Sequence, residues 1–307
     1  MSAKTSPASV AVIAYNGGAA LFSCVRSLRE LSPLGTRILV VDNGSRDGSV
    51  DGLAGEFADL EILRLQSNRG FAGGANVALD RLSADAKHRR GGVVGVINQD
   101  CVVARGWLEP LVEVLADRSV GVVGARLLAD DGVTLEHAGG WVQANGLTLH
   151  IGHGVRSESA FRRRADVEYV SGAVLLLRSD VWEAYGPFDE GYFPAYFEEV
   201  EFCMRLREAG LRVVYVPESR VVHHTALSSG GPQSPVYLRR YHGSRMRFAA
   251  RRLLCDPRSC RTFLASELRW LSRLHDRRHL REVFGAYRRL PAELREAKLQ
   301  RTRTEAS

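Results

Sequence analysis

The chain has 307 residues, 45% hydrophobic and 25% charged, with a net charge of +7. That length fits one large α/β domain with an appendage, or two modest domains, around a real core. The five cysteines (Cys24, Cys101, Cys203, Cys255 and Cys260) form no C-x-x-C pair and no even framework, which excludes a disulfide scaffold, and no apolar run nears the roughly 20 residues of a membrane span.

Taken in chain order, "SVAVIAYN" (9–16) is an apolar run that ends polar, and "AALFSCVRSLREL" (19–31) carries a helical period. "RILVVDNGS" (37–45) is a second buried strand pattern ending in Asp42, and "LEILRLQSN" (60–68) is a third. "FAGGANVALDRL" (71–82) returns to helix, and "GGVVGVINQD" (91–100) is a fourth strand with a polar end. Strand, helix, strand in this order predicts an α/β fold with a parallel sheet covered on both faces. Ligands of such sheets bind beyond the carboxyl ends of the strands. Asn16, Asp42, Asn68 and Asp100 close these runs and are expected to line one edge, although each also suits a plain turn.

The middle of the chain is less regular. "LEHAGGWVQANGLTLHIGHG" (135–154) predicts short strands joined by glycine turns, and residues 164–193 a strand followed by a short helix from Ser179 or Asp180. "YFEEVEFCMRLREAG" (196–210) is a helix with three crowded carboxylates, stopped by Gly210. At about 100° per residue, Glu198, Glu201, Arg205 and Glu208 share a face that reads as solvated. Glu199 instead caps the apolar stripe of Phe202, Cys203, Leu206 and Ala209. Desolvation there would raise its pKa and suit it to proton abstraction, while the bland alternative is three acids favouring a helix dipole. "LRVVYVPESRVVHH" (211–224) predicts a strand pair, "SSGGPQSP" (228–235) a loop, and everything beyond 236 basic helix.

Single motifs remain ambiguous on their own. Asp42, at the end of "VVD", can accept hydrogen bonds from a base or ribose. "NRGFAGGAN" (68–76) lacks dinucleotide-fingerprint spacing, but its glycines let backbone approach a ligand. Asp100 at a strand end can hold Mg2+ or Mn2+ against a diphosphate. Of the adjacent His223 and His224, a strand points only one toward a site.

In order, "YN" (15–16), "VVDNGSRDGS", "NRGFAGGAN", "NQD", "SGAVLLLRSDVWEAYGPFDEGYFPAYFEEVEFCMRLREAG" and "VVYVPESRVVHH" resemble inverting glycosyltransferases of family 2, in a bacterial rhamnosyltransferase-like branch. The resemblance runs from about Ser9 to Leu254 and implies a GT-A fold, a Rossmann-like, mostly parallel sheet with flanking helices. It implies a GT-A domain over 1–235, its nucleotide-binding half to about residue 120, and a basic helical segment over 236–307. The implied reaction moves a sugar from a nucleotide-diphosphate donor, dTDP-rhamnose by analogy, to a hydroxyl of a glycan or polyprenyl-linked acceptor.

The resemblance gives Glu199 the part of catalytic base and assigns Asn16, Asp42, Asn68, Gly70 and Asp100 to nucleotide binding. Asp100 and His223 are the implied metal ligands, for Mg2+ or Mn2+. It also places Arg245, in "YHGSRMRFAARRL", near the leaving pyrophosphate. Asn98 stands where other members carry an acid, and Glu199 and Glu201 where Asp is common.

A sugar-1-phosphate nucleotidyltransferase needs a basic glycine-rich loop after the first strand, yet "NGGAALF" offers no basic residue before Arg26. A nucleic-acid binder is suggested by the arginine-rich stretch from Arg239, but its acids and the helical spacing of Phe263, Leu264, Leu268, Leu271 and Leu274 point instead to an amphipathic helix, against a membrane, a partner or the body. No signal-peptide layout is visible. The expectation is a cytoplasmic protein with peripheral contact at the inner face of the plasma membrane and no nucleic-acid partner.

Overall fold

The computed structural model describes residues 8–86, 92–156, 159–224 and 234–305, and divides the chain into two compact units. The first holds Met1–Trp141, His150–Phe193 and Glu198–Thr225; the second holds Val142–Leu149, Pro194–Phe197 and Ala226–Ser307.

The first half alternates β1 (Ala8–Ala14), α1 (Gly18–Leu31), β2 (Arg37–Asp42), α2 (Ser49–Glu56), β3 (Glu61–Arg64), α3 (Gly70–Ala86), β4 (Val93–Asn98) and β5 (Cys101–Val103). Then come α4 (Glu109–Leu115), β6 (Val120–Leu128), β7 (Leu135–His137), β8 (Gly140–Val142), β9 (Thr148–His150), β10 (Ala165–Asp166), β11 (Val174–Arg178), α5 (Ser179–Tyr185), α6 (Glu198–Glu208) and β12 (Arg212–His223).

The main sheet of the first unit runs β10-β12-β6-β11-β4-β1-β2-β3, with β5 paired to β12 and β7 to β6. β1 is parallel to β2 and β4, β2 to β3, and β12 to β6. β11 is antiparallel to both β4 and β6, so β4 and β6 run the same way. The carboxyl ends of β1, β2, β4, β6 and β12 therefore share one edge. Val10, Val12 and Ala14 of β1 face a core built with Leu21, Val25 and Leu28 of α1 and Leu111 of α4. Val10, Ala11, Val12 and Ala14 are all fully buried, as expected of a strand covered on both faces.

Several sequence expectations change. "VGVVGARLL" (120–128), passed over in the sequence, is the wholly buried β6. The expected strand pair over 211–224 is the single strand β12, with an irregular register between Val216 and Arg220 that absorbs Pro217. The expected loop over 228–235 lies mostly outside the described residues; within it, Ser234 caps the next helix by accepting a hydrogen bond from Tyr237 N at 3.1 Å.

The second unit contains α7 (Pro235–Phe248), running into a π-helical turn, then α8 (Pro257–Leu271), α9 (Arg277–Tyr287) and α10 (Leu290–Glu305). Met246, Ala249, Phe263 and Ala286 form its core. The unit also takes in residues 142–149 and 194–197. Phe197 packs on Tyr241 and Phe248, and Asn145 Nδ2 donates to Glu267 Oε2 at 2.8 Å. Many arginines of this segment are already matched by acids: Arg239 with Glu282, Arg245 with Glu267, Arg247 with Glu293, Arg251 with Glu296. Phe263 is buried, whereas Leu264 and Leu268 are exposed. Among the described residues no helix is long and apolar enough to cross a membrane.

Candidate active site

The loops after β1, β2 and β4 interlock at the shared edge. Tyr15 N donates to Gln99 Oε1 at 2.8 Å, and Gln99 Nε2 returns a bond to Tyr15 O at 3.0 Å. Asn16 has left-handed backbone (φ 49°), which asparagine tolerates, and its Oδ1 accepts from Arg46 N at 2.8 Å. Asp42 is buried; its Oδ1 accepts from Ser45 N at 2.8 Å and its Oδ2 meets Arg64 at 3.2 Å. Asn68 Oδ1 accepts from Gly70 N at 2.8 Å at the start of α3. Asn43, fully enclosed beside Asp42, accepts from Arg69 N at 2.9 Å and donates to Gly70 O at 2.9 Å. Asn16, Asp42, Asn68 and Gly70 thus belong to one network along the strand ends, with Asn43 as its buried tie. Asp42, and Asn68 with Gly70, also make the turn bonds that the plain reading expected, whereas Asn16 bonds across to the loop after β2.

Asp100 and His223 meet because β5 turns back against β12, with Cys101 opposite His223. His223 Nε2 lies 3.3 Å from Asp100 Oδ1, and His223 Nδ1 lies 3.0 Å from Glu136 Oε1. Burial pulls the imidazole down, but the hydrogen bonds and charges of Asp100 and Glu136 outweigh it and hold its pKa up at about 10. Asp100 Oδ1 and Glu136 Oε2 are buried without an aligned hydrogen-bond donor among the described residues. A divalent cation of the Mg2+ or Mn2+ type would fit between these atoms by displacing the proton that His223 Nε2 holds toward Asp100 Oδ1. Cys101 Sγ lies within the same cluster, all ligand atoms within 4.8 Å, but burial and the Asp100 charge keep it a thiol, and it donates to Ala173 O at 3.4 Å. Asn98 Nδ2 stands 3.5 Å from His223 Nε2. His224 points elsewhere, to Asp130 at 2.7 Å.

α6 corrects the face assignment. Glu198 and Glu201 are buried, not solvated, while Glu199 keeps part of its surface open. Glu201 accepts from Arg205 Nε at 2.9 Å, and the same guanidinium donates to Tyr185 O and Pro187 O, so this face packs on the loop after α5. An i,i+4 pair reads as surface chemistry in a sequence, but here the loop covers it. The stripe beneath Glu199 is apolar as expected, with Phe202, Cys203 and Leu206 fully buried. Desolvation raises the Glu199 carboxyl to about 7, against the opposing pull of the backbone amides of Glu199, Val200 and Gly172. Tyr196 and Phe197, just before α6, both have left-handed backbone (φ 83° and 77°), a costly conformation for bulky residues.

The segment 171–173 links Glu199 to the metal-type pair. A Cβ added to Gly172 would lie 3.8 Å from Glu199 Cβ, and the adjoining Ala173 O accepts from Asn98 N at 2.9 Å as well as from Cys101. Sequence reasoning missed Glu136, Gln99 and the role of Gly172. The glycine was visible in "SGAV", but nothing near Glu136 marks it, because its partner lies 87 residues away.

Arg245 does not behave as expected. It is completely enclosed in the second unit, donating to Glu267 at 2.7 and 2.8 Å and to Asn145 O at 3.1 Å, with its guanidinium 5.0 Å from the Trp270 ring centroid. Its charge is neutralised internally, so it offers no free fork to a pyrophosphate.

A family model described as glycosyl transferase family 2 matches residues 9–183, more than half of the chain. The chain belongs to glycosyl transferase family 2. Similar proteins include a pre-mycofactocin glycosyltransferase of Mycobacterium tuberculosis, 30% identical over 70% of this chain and 42% of the relative. An N-acetylglucosaminyl-diphospho-decaprenol L-rhamnosyltransferase of the same organism is 28% identical over 79% of this chain and 84% of the relative. The chain spans well under half the length of several curated relatives it matches. Among solved structures, GalNAc-T7 with UDP, GalNAc and Mn2+ aligns with TM-score 0.60 and 17% identity, over 81% of this chain and 51% of that one. The α/β architecture of this family 2 chain is thus of the GT-A type.

Proposed function

We propose that this family 2 chain is an inverting glycosyltransferase that moves a sugar from a nucleotide-diphosphate donor to an acceptor hydroxyl in a single displacement. The observation that carries the reading is Glu199: a carboxyl raised to about 7, partly open, on a helix whose other two leading acids are buried. Glu199 takes the acceptor proton as the hydroxyl attacks the anomeric carbon from the side opposite the leaving diphosphate. Asn16, Asp42, Asn68 and Gly70 line the strand-end network that receives the nucleoside. Asp100 and His223 would hold Mg2+ or Mn2+; when bound, the cation would neutralise charge on the diphosphate. Glu136 keeps the His223 ring turned so that Nε2 faces Asp100. For the donor sugar and acceptor, the rhamnosyltransferase relative, named for a decaprenyl-diphosphate-linked substrate, favours rhamnose and a polyprenyl-linked glycan, with dTDP as the carrier that the family resemblance implies. Such an acceptor would bring the protein, from the cytoplasm, to the inner face of the membrane. The interleaved acids and leucines of 236–307 favour that contact over nucleic acid.

The test is incubation of the full chain with a panel of nucleotide sugars and Mn2+ or Mg2+, following nucleotide release and the anomeric configuration of the product. Donor-specific release that is lost in Glu199→Gln supports the reading. Release with retained configuration, or transfer of the nucleotidyl group to a sugar phosphate, overturns it.

A further inference from the structure

α8 presents to solvent a face that the core of the second unit does not use. Phe263 and Glu267 point inward and are buried, whereas Leu264 and Leu268, one turn apart, are 57% and 58% exposed. At about 100° per residue the two leucines lie along one flank, Arg261 stands next to Leu268, and Arg258 and Arg269 close the outer arc. Exposed leucines at i,i+4, on a helix whose opposite side is already packed, add nothing to that core.

Charge on this face has one sign. Arg258, Arg261 and Arg269, with Arg273 just past the helix end, are exposed, and none makes an ion pair among the described residues. The acids close by in sequence are taken. Glu267, the single acid of α8, is buried against Arg245. Asp256 caps α8, accepting from Arg258 N at 2.8 Å and Ser259 N at 3.2 Å, and Asp276 caps α9, accepting from Arg278 N at 2.8 Å. The matched arginines of this unit, Arg239, Arg245, Arg247 and Arg251, lie instead on α7 and the turn after it. α9 repeats the combination: Phe284 is 54% exposed, and Arg277, Arg281 and Arg288 share its side of the helix.

Leucines set among unpaired guanidinium groups suit a helix lying in the plane of an anionic bilayer surface, with its leucines among the acyl chains and its arginines at the headgroups. Charge complementarity selects this occupant. A second copy of the chain would set arginine against arginine. A nucleic acid would match the arginines but leave Leu264 and Leu268 in water. α8 has 15 residues, and no described helix is long and apolar enough to span a membrane, so the contact is with the surface.

We infer that the Leu264–Leu268 flank of α8, with Arg258, Arg261 and Arg269, is a docking surface for an anionic lipid bilayer. The inference deepens the membrane contact of the proposed function and rests on it only for the reason to reach a membrane. The test is flotation of the full chain with phosphatidylcholine vesicles, with and without phosphatidylglycerol. It is run in EDTA and without a sugar donor, so that its failure and the failure of donor-dependent nucleotide release are read apart. Wild type should float with the anionic vesicles only, and less so at about 1 M salt. Arg261→Gln combined with Arg269→Gln should weaken that partition about 30-fold, the worth of two cations at an anionic surface. Leu264→Ser combined with Leu268→Ser should weaken it about tenfold or more. Melting temperatures of both double variants should match wild type, because all four side chains are exposed. Equal recovery with neutral and anionic vesicles, no recovery with either, or partition unchanged in either double variant overturns the inference. Retardation of duplex DNA at the same salt by wild type, and not by the arginine variant, would then assign the face to nucleic acid.

Discussion

Glu136 Oε1 lies 3.0 Å from Nδ1 of His223, and this contact turns the ring's other nitrogen, Nε2, to Asp100 at 3.3 Å. A carboxylate behind a histidine fixes both its orientation and its tautomer. Glu136→Gln is therefore expected to weaken Mn2+ binding about 10- to 100-fold. Calorimetric Mn2+ titration of the purified variant measures this directly, without turnover. Unchanged affinity would reduce Glu136 to a packing role.

The Glu199 carboxyl, raised to about 7, must be ionised to accept a proton, so kcat should rise with pH through about 7 and then level off. Glu199→Gln should lower kcat by about 10²-fold or more and abolish that rise, with little change in donor affinity. The stability consequence has the opposite sign. Between the ordinary value of 4.5 and about 7 the folded chain holds a proton that the unfolded chain has lost, so stability falls as pH rises through that window. Urea unfolding at about pH 5 and about pH 8 should show a larger drop in wild type than in Glu199→Gln.

Glu201→Gln should behave differently from its neighbour. It removes the charged partner of Arg205, whose remaining donors hold Tyr185 O and Pro187 O in place. A loss of about 1.5–3 kcal/mol in urea unfolding is expected, with kcat essentially retained. A collapse of kcat without loss of stability would move the base to Glu201.

The buried Arg245–Glu267 pair makes a fourth prediction. Glu267→Leu leaves an enclosed guanidinium without its carboxylate and should cost about 3–5 kcal/mol. Pairing it with Arg245→Met should recover much of that loss, because an apolar pair needs no desolvation of charge. A double variant no more stable than Glu267→Leu would show that Arg245 matters through Asn145 and Trp270 instead.

The sequence made the nucleotide half legible because β1, β2 and β4 are local apolar runs with polar stops, a signal carried within each run. β6 escaped because Arg126 and two glycines interrupt its apolar run, and α2 and α4 are too short to show a period. The pairing of Asp100 with His223 followed from the family resemblance, but the β5–β12 register that creates it spans more than a hundred residues. The wheel found the apolar stripe of α6 yet misjudged Glu198 and Glu201. A helix projection knows only its own side chains, and the loop at 185–188 covers the face it took for solvent. Arg245 was misplaced for the same reason, since its partner Glu267 comes from another helix.

Asn145 and Glu267 bond at 2.8 Å although 122 residues separate them. A chain leaving the ribosome at about 5–20 residues per second exposes the 142–149 segment on the order of ten seconds before Glu267 is made. Through that interval Asn145, and later Arg245, lack the carboxylate that ties them together. The second unit therefore closes near the end of synthesis, when α8 delivers its one carboxylate to both, and a chain halted before Glu267 would carry a guanidinium with nowhere dry to go.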